Sequence, residues 1–150
     1  LIQDYKYHGA LAYAAWFAEA MLARYPAVPC ADLIAAVPLA RLRQRERGFN
    51  QALEIARHLS RRTGIRLATD LVVRVRETPP QASLPRRERG HNIRDAFACA
   101  TDLRGMHVLA VDDVMTTGAS LEEFARTLKR AGAASVENWL VARALPPSGP

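Results

Sequence analysis

The chain predicts an α/β fold, with a mainly parallel central sheet and helices on both faces. Three observations predict it. Segments with apolar residues at helical spacing alternate with short apolar runs along the 150 residues. One run, residues 108–111 (Val-Leu-Ala-Val), is apolar throughout, as a strand buried on both faces of a parallel sheet must be. It leads into two carboxylates, Asp112 and Asp113, and then a small, hydroxyl-rich turn that opens an amphipathic segment.

Taken in order, Leu11, Ala14, Ala15, Ala18, Met21 and Leu22 form one helical stripe, closed by Pro26 and Pro29. Residues 33–37 are a short apolar strand stopped by Pro38. Ala52, Ile55, Ala56 and Leu59 share one face of a second helix ending near Gly64, and residues 71–75 read as another strand. Residues 77–96, rich in Pro, Arg, Glu and Gln with little periodicity, predict a long mobile loop before an apolar stretch at 96–100. After the 108–111 strand, Leu121, Phe124, Ala125 and Leu128 mark a helix that Gly132 ends, and residues 136–145 supply a closing strand. Ser120 and Glu123 have the spacing of a capping box at that helix start. The expected organisation is one domain over residues 1–145, with 1–32 as a hood or lead-in helix and 146–150 as a flexible tail.

Composition sets the class. Hydrophobic residues make up 49% of the chain, enough for a core, and no stretch approaches membrane-spanning length. Cys30 and Cys99 stand far apart without metal-ligand spacing, so both read as small buried filler and no cysteine metal site is expected. A reducing cytoplasm follows from that usage, although a start at Leu1 suggests a piece of something longer. Charge is uneven. Residues 41–94 hold 14 arginines against five acids, while the whole chain carries 21 basic and 15 acidic residues; the remainder is therefore 7 minus 10, or −3. Nineteen of the 21 basic residues are arginine, the side chain that grips phosphate oxygens bidentately and stays charged.

These features converge on one sheet edge. Ligands of open α/β sheets bind outside the carboxyl ends of the strands, and paired carboxylates there can accept hydrogen bonds from neighbouring sugar hydroxyls. The turn at residues 116–120 precedes a helix, whose first amides and positive dipole end suit a phosphate. A phosphorylated sugar fits both. A Walker B strand would also place acids after an apolar run, but it requires a glycine-rich loop ending in Gly-Lys-Ser/Thr, which the chain lacks. Arg41, Arg43, Arg45 and Arg47 crowd the connection from the first strand to the second helix, at the same edge.

The segment from Val108 to Ser120 resembles the phosphoribosyl-diphosphate (PRPP) motif of type I phosphoribosyltransferases, without a gap. The resemblance implies their three-layer fold. It also implies that Asp112 and Asp113 hold the ribose hydroxyls, and that Thr116, Thr117, Gly118, Ala119 and Ser120 wrap the 5′-phosphate. Arg47-Gly48-Phe49-Asn50-Gln51 is similar to the end of that family's pyrophosphate loop, which implies diphosphate contact by Arg47 and Gly48. Read together with residues 1–9, Val37-Pro38-Leu39, Thr78 with Gln81 and Asn92 with Phe97, the chain resembles the ComF family, phosphoribosyltransferase-like proteins associated with competence for DNA uptake. Members often carry a cysteine-rich zinc module ahead of the segment that begins here at Leu1.

The expected activity is transfer of a phosphoribosyl group from PRPP to a small-molecule acceptor with release of pyrophosphate. Mg²⁺ would be bound through the diphosphate rather than in a protein cage. Residues 77–96, with Arg86, Arg87 and Arg89, could close over the site, and Tyr5, Lys6, Tyr7 and His8 could line a hood for the acceptor. His8, His91 and His107 read as surface histidines. Thr116 stands where 6-oxopurine enzymes have an acid, which disfavours that acceptor class. The alternative is a non-catalytic nucleotide- or single-stranded-DNA-binding module, with DNA or DNA-processing proteins as partners. Stacking platforms interleave aromatic with basic residues, and Phe49 is nearly alone in the basic stretch. No membrane partner is expected, and a dimer is compatible with the sequence.

Overall fold

Four parallel strands carry the molecule in a computed structural model that describes residues 12–25, 27, 29–76, 93–115 and 118–143. In chain order the elements are α1 (Ala12–Arg24), β1 (Leu33–Ala36), α2 (Arg41–Arg47), α3 (Gln51–Thr63), β2 (Arg66–Leu67), β3 (Val73–Arg74), β4 (Phe97–Ala98), β5 (His107–Met115), α4 (Ala119–Arg130) and β6 (Ser135–Arg143). The central sheet runs β2-β1-β5-β6, with Ala36 opposite Val111 and Val111 opposite Trp139. A separate antiparallel pair, β3 with β4, sets Val73 against Ala98.

Strand alternation divides the core in two. Ile34, Leu109, Val111 and Trp139 face α1 and α3, where they meet Phe17, Met21, Ile55 and Leu59. Leu33, Ala35, Val108 and Ala110 face α4 and the β3–β4 pair, against Phe97, Leu121, Phe124 and Leu128. The expected three-layer α/β arrangement is therefore the observed one. Each large apolar side chain buried in these faces contributes about 1.5–3 kcal/mol.

The helix boundaries follow from local chemistry. Asn50 caps α3, its Oδ1 accepting from the amides of Ala52 (3.1 Å) and Leu53 (3.4 Å). Gly132 takes up the chain after α4 at φ +103°, and a Cβ there would sit 3.0 Å from Arg104 Cγ.

Several expectations need correction. Residues 71–75 were expected to form one strand, yet Leu71 and Val72 are buried in a bend and only Val73–Arg74 is strand, outside the central sheet. The edge strand of that sheet is instead Arg66–Leu67, too short to show a period in sequence. The arginine-rich connection contains a seven-residue helix, α2, which has no apolar stripe to announce it. At the carboxyl end of the expected 77–96 loop, Ile93 and Ala96 are buried core residues, so that end is packed. Cys30 is exposed and Cys99 only half-buried, so neither is the buried filler expected. Residues 77–92, the 146–150 tail and, of the expected 1–32 hood or lead-in, residues 1–11 with Tyr5, Lys6, Tyr7 and His8 lie outside the described residues.

Topology picks out one crevice. From β1 the chain crosses through α3 to β2 on one side, and from β5 it crosses through α4 to β6 on the other. The two crossover helices lie on opposite faces, so the connections leaving β1 and β5 diverge between adjacent strands. That divergence is the switch point where open α/β sheets bind ligands.

Candidate functional site

The β5 side is built from strand geometry. β1 ends opposite Val111, its register closed by the Val37 amide donating to the Val111 carbonyl at 3.0 Å. β5 continues beyond that point, paired with β6 as far as Met115 opposite Arg143. Asp112 and Asp113 were expected at the carboxyl end of their strand. They lie instead within it, at the step where β1 has stopped and β5 overhangs.

Each acid orients itself through a neighbouring amide. Asp112 Oδ1 accepts from the Asp113 amide at 2.9 Å, and Asp113 Oδ1 accepts from the Val114 amide at 2.7 Å. Both residues are half-buried. One oxygen of each is thereby directed by backbone that the β5–β6 ladder already fixes.

Thr116 and Thr117 lie outside the described residues. Gly118 follows as the residue before α4, in the left-handed region at φ 85°, ψ −6°, a conformation that glycine adopts without the Cβ penalty. It brings no side chain to cap the helix. Ala119 and Ser120 then occupy the first two helical positions, where amides point along the axis toward the turn. The expected Ser120–Glu123 capping box does not form. The helix starts at Ala119, Ser120 is already inside it, and the Glu123 carboxylate accepts from the Asp95 amide at 3.1 Å.

The β1 side is longer and basic. Arg41 and Arg45 are exposed on α2, and Arg47 is its last residue. Gly48 ends α2 in the left-handed region at φ 76°, its amide donating to the Gln44 carbonyl at 2.8 Å. Asn50 fastens this connection down: besides capping α3, its Nδ2 donates to the Val37 carbonyl at 3.0 Å. The Gly48–Phe49 turn is thus tied to the last residue that pairs β1 with β5. Phe49 packs against the α1–α3 core, and Gln51, the first residue of α3, is buried.

The sequence motifs alone predict no role for Asn50 or Gln51. An Asn directly before an apolar helical stripe is an N-cap signal and could have identified Asn50. Its bond to Val37 had no such signal.

The arrangement offers carboxylates at the overhang, a glycine-led helix start beside them, and a basic connection from the adjacent strand. A family model described as the phosphoribosyl transferase domain matches residues 46–145. The chain belongs to that family. Among curated relatives it is similar to the DNA utilization protein YhgH of Salmonella typhi, 38% identical over 125 residues, 83% of this chain and 55% of that protein. It is also similar to Competence protein F of Haemophilus influenzae, 36% identical over 116 residues, 75% of this chain and 51% of that protein. Both bear out the ComF-type resemblance, and the chain spans about half the length of these relatives. Among solved structures, the glutamine PRPP amidotransferase from B. subtilis, complexed with ADP and GMP, superposes with a TM-score of 0.58 at 22% identity, over 91% of this chain and 27% of that one. At that identity the likeness shows the fold of the phosphoribosyltransferases and no more. No helix among the described residues is long and apolar enough to cross a membrane.

Proposed function

We propose that the β1–β5 crevice binds PRPP and that the protein transfers its phosphoribosyl group to a small-molecule acceptor, releasing pyrophosphate. The observation that carries this reading is the overhang of β5 past β1, which sets the Asp112–Asp113 pair beside a glycine-led helix start at the switch point. The sugar diol would accept orientation from the two carboxylates, and the 5′-phosphate would sit on the turn at residues 116–120. The diphosphate would then lie toward Gly48 and the arginines of α2.

In the reaction the bond from C1 of the ribose to the diphosphate oxygen breaks and its electron pair leaves with the pyrophosphate. The acceptor's lone pair forms the new bond to C1, and the acceptor's proton passes to the departing pyrophosphate. Positive charge develops on the sugar between these events. Asp112 and Asp113 hold the ring in place and place negative charge near it, while the basic connection stabilises the leaving group. Among the described residues no group of three or more His, Cys, Asp or Glu converges, and Mg²⁺ commonly binds through one or two carboxylates plus substrate phosphates. That donor set fits an ion arriving on the diphosphate, with an Asp112 or Asp113 oxygen as its protein ligand. Bound there, Mg²⁺ would neutralise diphosphate charge.

The names of the relatives, a DNA utilization protein and a competence protein, support a place in DNA utilisation or competence; a cytoplasmic location and DNA-processing proteins as partners are part of the same proposal. Exposed Arg41 and Arg45 favour a second reading, a non-catalytic module for nucleotides or single-stranded DNA. One experiment separates them: PRPP consumption and pyrophosphate release with Mg²⁺ across a panel of bases and amines. Turnover with any acceptor supports the transferase. Salt-sensitive DNA binding without PRPP binding or turnover replaces it with the second reading.

A further inference from the structure

The helix start at residues 118–120 is only as well placed as the first turns of α4, and these are held from outside the crevice. Glu123 lies one turn beyond Ala119, so its side chain leans back toward the helix start. At 3% exposure it is deeply buried for a carboxylate, and a charge so placed must be fully paired. Its Oε1 accepts from the Asp95 amide at 3.1 Å, and its Oε2 accepts from Arg126 Nη1 at 3.0 Å. Arg130 Nη1 stands 3.8 Å from the same Oε1 and also donates to Asp95 Oδ1 at 3.0 Å.

Asp95 is the partner that gives this cluster meaning. It is the positive-φ non-glycine residue among the described residues, at φ 53°, and both its amide and its carboxylate are taken up by α4. Two residues on, β4 presents Phe97, whose ring meets Phe124 of α4 edge-on at 5.7 Å. The Arg74 guanidinium of β3 lies 5.6 Å above that same Phe97 ring, and Arg76 donates to the Arg94 carbonyl. The β3–β4 pair is therefore clamped to α4 through the buried Glu123 carboxylate, the Arg130–Asp95 pair and the Phe97–Phe124 contact. Arg126 does a second thing: it also pairs with Glu122 at 3.1 Å. Two acids in the opening turns would otherwise oppose an anion at that helix end.

We infer that Glu123 is a positioning residue for the helix start at residues 118–120, fixing α4 against the β3–β4 pair so that these amides keep the geometry a sugar phosphate needs. This rests on the PRPP reading of the crevice. It has a consequence that a general stabilising role lacks: loss of the clamp weakens a ligand held by the β5–α4 turn and spares one held by the β1–α3 connection.

The test measures binding of ribose 5-phosphate, and separately of Mg²⁺-pyrophosphate, to the full chain by calorimetry. For Glu123→Ala the ribose 5-phosphate Kd rises about fivefold or more while pyrophosphate stays within about twofold. Glu123→Gln keeps an oxygen for the Asp95 amide and falls between wild type and Glu123→Ala; should Glu123→Ala fail to fold, a selective rise of about twofold in Glu123→Gln carries the test. Leu128→Ala, a core cut elsewhere in α4, lowers the melting temperature without that selectivity. Equal weakening of both ligands, or an unchanged ribose 5-phosphate Kd in a folded Glu123 variant, overturns the inference alone. Absence of ribose 5-phosphate binding in the wild type overturns the PRPP reading and the inference with it.

Discussion

The two connections that meet at the crevice are built on opposite plans. From β5 to α4 the chain spends three residues, 116–118, while from β1 to α3 it spends 14, residues 37–50, with a helix inside. The short connection is held by its flanking elements: the β5–β6 ladder fixes the acids and the Glu123 cluster fixes the helix. The long one is fastened by its own side chains, Asn50 reaching back 13 residues to Val37 and Phe49 packing on the α1–α3 core. The β5–α4 connection thus leans on its flanking elements, and the basic β1–α3 connection on contacts made by its own residues.

The largest expected effect comes from the rigid side. Replacing Asp112 and Asp113 together by Asn preserves an Oδ1 acceptor for the Asp113 and Val114 amides, so the melting temperature barely moves. PRPP affinity falls about 100-fold or more in calorimetry, because two charged acceptors for the diol are lost. Retained affinity would remove the acids from the site.

On the other side, Asn50→Ala removes a helix cap and the Val37 tie at once, costing about 1–2 kcal/mol in denaturant unfolding. It also weakens pyrophosphate binding while sparing ribose 5-phosphate, the mirror image of the Glu123 variants. If both ligands weaken together, the two connections are not independent and the comparison fails. Gly48→Ala is milder. No atom lies within 4 Å of the added Cβ, so its cost is the left-handed backbone alone, about 1 kcal/mol, read as a lower denaturant midpoint.

The smallest effect concerns α3 away from the crevice. Burial and then the Arg61 guanidinium hold His58 below its ordinary value of 6.5. A base whose folded pKa is depressed binds its proton more readily in the unfolded chain, so stability rises with pH through that range and declines on acidification. Wild type should lose slightly more stability than His58→Gln between about pH 7 and pH 5, with pyrophosphate affinity equal in the two proteins at neutral pH.

The same contrast explains what the sequence could reveal. The β5–α4 connection was legible because its signals are local: an apolar run, adjacent acids and a helical stripe within residues 108–128. Even there the capping-box spacing misled, since the helix starts at Ala119, one residue before Ser120, and Glu123 is free to accept from Asp95, 28 positions away. The β1–α3 connection showed its charge but not its form, because α2 has no apolar period and the Asn50 bond to Val37 is a tertiary contact. β2 was missed for a different reason: two residues cannot display alternation, and its pairing with β1 is what makes it a strand.

The central claim is that one ligand spans both connections at the switch point. Adding PRPP with Mg²⁺ to ¹⁵N-labelled protein tests it directly. The account predicts that the amides of Gly118, Ala119 and Ser120 shift together with those of Gly48 and Phe49, at a single saturating concentration. Shifts confined to the solvent face of α3, or none at the β5–α4 turn, would contradict it.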